Sequence, residues 1–114
     1  MHIAPCSGSP IATLTERLIS ARGIESEVER DLSEALDITR TNEFLAKRAN
    51  EGCKVLQNVG GEPLELMQDC AEKAELASKR ANADAIQCAE ELRAVRVRIT
   101  RLSTAIQELA KAGL

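Results

Sequence analysis

The sequence predicts an all-α fold, a long antiparallel two-helix coiled-coil hairpin, and three observations carry that expectation. Apolar residues recur on two long heptad ladders. A Gly60-Gly61 pair separates the ladders, and adjacent glycines end helices readily because they adopt left-handed backbone angles at little cost. The composition is rich in Ala, Leu, Glu and Arg, and Phe44 is the sole aromatic residue, usage that suits helices rather than sheets.

The first nine residues, MHIAPCSGS, mix Pro, Gly and Ser without periodicity and read as a flexible N-terminal tail. Residues 10–114 then form one helical-hairpin domain with its turn at 59–62. Ser9 before Pro10 has the form of an N-cap followed by Pro at the first helical position. From there the first ladder runs Ile11, Leu14, Leu18, Ala21, Val28, Leu32, Ala35, Ala46, Ala49, Cys53 and Leu56, with polar rungs at Glu25, Thr39 and Asn42. Gly23, followed by Ser26 and Glu29 in capping-box spacing, leaves open a split of this segment into two helices.

After the turn, Glu62 and Pro63 restart a helix. Its ladder runs Met67, Cys70, Ala74, Ala77, Ala81, Ala85, Cys88, Leu92, Val95, Ile99, Leu102, Ile106 and Leu109. Two four-residue steps at Ala77, Ala81 and Ala85 read as a stutter. In an antiparallel hairpin, partners have residue numbers with a constant sum; Leu56 with Met67, Cys53 with Cys70, Ala49 with Ala74 and Val28 with Val95 satisfy this. That register also places acidic Glu25, Glu27, Glu29 and Asp31 opposite Arg93, Arg96 and Arg98.

Little in the sequence points to catalysis. Neither Trp nor Tyr occurs, so stacking platforms for bases are missing. Fifteen basic against eighteen acidic side chains leave a net charge of −3, unlike a chain built to neutralise phosphates. His2 is the only histidine, and the cysteines Cys6, Cys53, Cys70 and Cys88 lack zinc-ligand spacing. The expectation is a non-enzymatic chain without metal or cofactor. Cys53 and Cys70 share one expected layer, where a disulfide is geometrically conceivable. No apolar run reaches the ~20 residues of a membrane span, and no signal-peptide pattern opens the sequence, so a soluble intracellular protein is expected.

A second apolar stripe carries the functional expectation. Ile24, Ile38, Leu45 and Val59 recur at heptad spacing beside the main seam, and Leu36, Phe44 and Val55 add apolar area on outer positions. A helix that buries more than two heptad positions belongs to a bundle of more than two helices. The chain is therefore expected to dimerise into a four-helix bundle or to bind a heterologous helical protein, as a structural or assembly adaptor or a small secretion-type chaperone-like protein. Two other readings stand beside it. One is a thiol-based redox switch through Cys53 and Cys70, or through Cys6. The weaker one is binding of nucleic acid or an anionic membrane by Arg93, Arg96, Arg98 and Arg101.

Overall fold

A computed structural model describes residues 9–114. The expected tail, with His2 and Cys6, lies outside the described residues except for Ser9. Two helices, α1 (Pro10–Leu56) and α2 (Gly61–Lys111), pack against each other as a hairpin, and no strand occurs among the described residues.

Local chemistry fixes each helix end. The Ser9 hydroxyl accepts the Ala12 amide at 3.1 Å, satisfying one of the donors that the first turn leaves unpaired. At the other end of α1, Gly60 has φ 65° and donates its amide to the Leu56 carbonyl at 3.0 Å, a left-handed C-terminal cap. Gly61 also has positive φ, 63°, so the chain reverses over two residues that only glycine occupies comfortably. Pro63 then falls in the first turn of α2, where its missing N–H leaves no ladder bond unmade. Gly113 closes α2, with its amide on Ala110 and the Leu114 amide on Leu109, the paired bonds of a Schellman motif.

α1 is continuous through Gly23, so the alternative of a split helix is not adopted. Gly23 is exposed, and nothing lies within 4 Å of where a Cβ would stand. Gly23→Ala is therefore expected to raise stability by about 0.5–1 kcal/mol, because it restricts the unfolded chain and meets no neighbour in the helix. Thermal denaturation checks this; an unchanged midpoint would mean that the helix breaks there in solution.

The chain divides into two compact units. The turn unit is Asp31–Cys88, and the terminal unit joins the segment ending at Arg30 to Ala89–Leu114. In the turn unit the buried apolar residues are all alanine: Ala35, Ala46, Ala49, Ala71, Ala74, Ala81 and Ala85. In the terminal unit the buried set is Ala21, Val28, Leu92 and Val95, flanked by half-buried Leu14, Leu18, Ile99, Leu102, Ile106 and Leu109.

Every expected rung of α1 is buried or half-buried, the polar rungs Glu25, Thr39 and Asn42 included. α2 requires a correction near the turn. Cys70 is exposed and Ala71 is buried in its place, while Leu64 and Ser78 are half-buried. With Leu64, Ala71 and Ser78 as rungs, the three- and four-residue steps alternate along the whole of α2, and the expected stutter disappears. A ladder traced through apolar residues alone skips Ser78 and takes Ala77 instead.

The register moves with it. In the turn unit a Cβ at Gly52 would stand 3.1 Å from the Met67 side chain, Asn50 donates to Glu75 at 3.2 Å, and the Ser78 hydroxyl reaches the Thr39 carbonyl at 3.5 Å. Counted from the turn, rungs pair as Leu56 with Leu64, Cys53 with Met67, Ala49 with Ala71 and Thr39 with Ala81. This is about three residues, just under one helical turn, from the pairing the sequence suggests. Thr39 is the one buried polar residue among the described residues, and its hydroxyl donates to the Ala35 carbonyl at 2.8 Å. The polar rung is thus satisfied within its own helix and leaves no unpaired hydroxyl in the seam.

Candidate functional site

The heptad positions sort the exposed residues of the turn unit onto two flanks of the seam. One flank is polar. Asn50 meets Glu75 across it, and the residues at the same heptad positions include Glu43, Gln57, Gln68 and Asn82. An open groove of about 530 Å³ on this side is lined by Lys47, Lys54 and Lys79 among the bases and Glu43, Glu51 and Glu75 among the acids. Alternating charges of this kind stay well solvated and select no single ligand charge.

The opposite flank is apolar. Ile38 and Leu45 on α1 are 51% and 50% exposed, and Val59 at the turn continues their row at 67%. Val55 adjoins that row and is 76% exposed. Across the seam α2 contributes small Ala77 and exposed Cys70, with Leu66 beside them. The α2 side of the flank is therefore low, and the ridge beside it on α1 is aliphatic at Ile38 and Leu45.

Not every residue singled out in the sequence belongs to this surface. Ile24 is exposed but lies in the terminal unit. Leu36 sits at the heptad position of Asn50, on the polar flank. Phe44 faces outward with the Arg48 guanidinium 5.7 Å from its ring centroid, an exposed cation–π contact. Sequence reasoning passed over Leu66, Leu76 and Ile86 in the turn unit and Ile19 and Val97 in the terminal unit, all exposed. A count of apolar residues off the seam, carried along α2 and the start of α1 as it was along the rest of α1, would have marked them.

Cys53 is half-buried on the seam, Cys70 is exposed beside it, and both are free thiols. Among the described residues no group of three or more His, Cys, Asp or Glu side chains could hold a metal ion. No helix is long and apolar enough to cross a membrane there.

In the terminal unit, Arg96 pairs with Glu25 at 3.1 Å and with Glu29 at 3.6 Å, a cross-helix contact the sequence anticipates. Of Arg93, Arg96 and Arg98, which the expected register sets opposite the acidic stretch, Arg96 alone forms an ion pair with it among the described residues. In the turn unit Lys73 and Asp69 lie 2.8 Å apart. The hydrogen bond that Lys73 donates to Asp69, and then the Asp69 charge, hold the Lys73 ammonium above its ordinary pKa.

No protein-family model, no curated protein and no solved structure matches this chain.

Proposed function

We propose that the protein is a non-enzymatic helical interaction module whose turn unit receives a further helix on the flank formed by Ile38, Leu45, Val55 and Val59. The observation that carries this reading is the asymmetry of the seam. One flank is polar and closes on itself through Asn50 and Glu75, whereas the other leaves large aliphatic side chains at least half exposed in one row. Exposed apolar side chains scattered singly are ordinary, but a row of them at heptad spacing matches what a bundle helix buries.

A photo-crosslinking residue in place of Leu45 tests the reading against the same residue in place of Glu43 on the polar flank. A polypeptide adduct is expected at position 45, with the chain itself or with another protein, and little at position 43. Equal adducts at both positions, or none at 45, would remove the reading.

A further inference from the structure

Resting on that interaction reading, we infer that the occupant of the flank is a second copy of this chain, whose α1 lies antiparallel on the first α1 about a two-fold axis at Thr41. A surface that pairs with itself antiparallel must be complementary to its own reversed sequence. Within the turn unit the helical part of the row, up to the end of α1 and short of Val59, reads Asp31, Ile38, Leu45, Gly52. Reversed about its midpoint, each large aliphatic residue meets the other. Asp31 meets Gly52, the one residue of the row with no side chain to strip water from the carboxylate.

The adjoining row gives the charge. It reads Glu34, Thr41, Arg48, and the same reversal puts Glu34 of each copy opposite Arg48 of the other. All three are exposed, and neither Glu34 nor Arg48 has an ion-pair partner among the described residues. A parallel arrangement would instead stack Arg48 on Arg48 and Glu34 on Glu34, so the charges select the antiparallel one.

The two-fold thus gives Glu34 and Arg48 of each copy an ion-pair partner in the other, and it covers Ile38 and Leu45.

The experiment is sedimentation equilibrium of the full chain at tens of micromolar, wild type beside Glu34→Arg and Arg48→Glu. The wild type is expected at twice 12.3 kDa. Each single swap sets two like-charge contacts across the axis and should weaken the dimer by about tenfold or more. The two swapped chains mixed in equal amounts restore both pairs, because one chain then carries arginine at both positions and the other carries glutamate at both. The mixture should associate as the wild type does.

Circular dichroism shows that each variant keeps its helices. A wild type that remains monomeric, or a dimer indifferent to the swaps and to their mixing, overturns the inference. A monomer that still crosslinks through position 45 to a different protein overturns the second copy while leaving the interaction module standing.

Discussion

Ala85→Asp is expected to destabilise the hairpin by about 3 kcal/mol or more, measured as a drop in the urea midpoint at fixed protein concentration. Ala85 is 4% exposed, the least exposed residue of the turn unit's alanine seam. A carboxylate on a stem one methylene long cannot reach water from a helix packed through alanines. It must stay neutral against its ordinary pKa or force the helices apart. Ala85→Ser, similar in volume and able to bond its own helix as Thr39 does, should cost much less. If the two variants cost the same, burial of charge is not what position 85 resists.

Leu92→Ala should cost about 2–4 kcal/mol, the range for removing a buried leucine and leaving a space that neighbours only partly refill. Leu92 is 7% exposed and is the largest buried side chain among the described residues of the terminal unit. The melting temperature should fall by about 10 °C or more for a chain of this size. A loss under about 0.5 kcal/mol would show that the terminal unit does not hold its seam in solution. Because any self-association adds stability that depends on concentration, both variants have to be compared with the wild type at one concentration.

How much of this was legible in the sequence follows from what heptad reading measures. On α1 the rungs from Ile11 to Leu56 were fully readable, polar interruptions included, because the three- and four-residue steps continue unbroken through Glu25, Thr39 and Asn42. Near the start of α2 adjacent small residues defeat the method. Cys70 and Ala71 are both small and apolar, and only the neighbouring helix decides which one is covered. Ser78 was invisible to a search for apolar residues, although its hydroxyl has the Thr39 carbonyl within reach and needs no apolar partner.

The register inherited that error as a displacement of about one turn. The apolar stripe at Ile38, Leu45 and Val59 was readable for the same reason as the α1 seam. What it omitted was α2, whose Leu66, Cys70 and Ala77 complete the flank. The side on which Leu36 falls also required the direction fixed by the Asn50 and Glu75 contact.

The double-glycine reversal at Gly60 and Gly61 also governs the order in which the molecule can assemble in time. In a hairpin, each contact closes a loop whose length grows with distance from the reversal. Asn50 and Glu75 are 25 residues apart in sequence, whereas Glu25 and Arg96 are 71 apart. Closing the longer loop first costs roughly 1 kcal/mol more in chain entropy, so zippering outward from the glycines is the less costly route. The alanine layers nearest the reversal therefore form early, and each supplies a shorter effective loop for the next. The bulkier Leu92 and Val95 layers form later, and the layers toward Leu109 last. Substitutions near the reversal should then slow folding, while Leu92→Ala should act mainly by speeding unfolding.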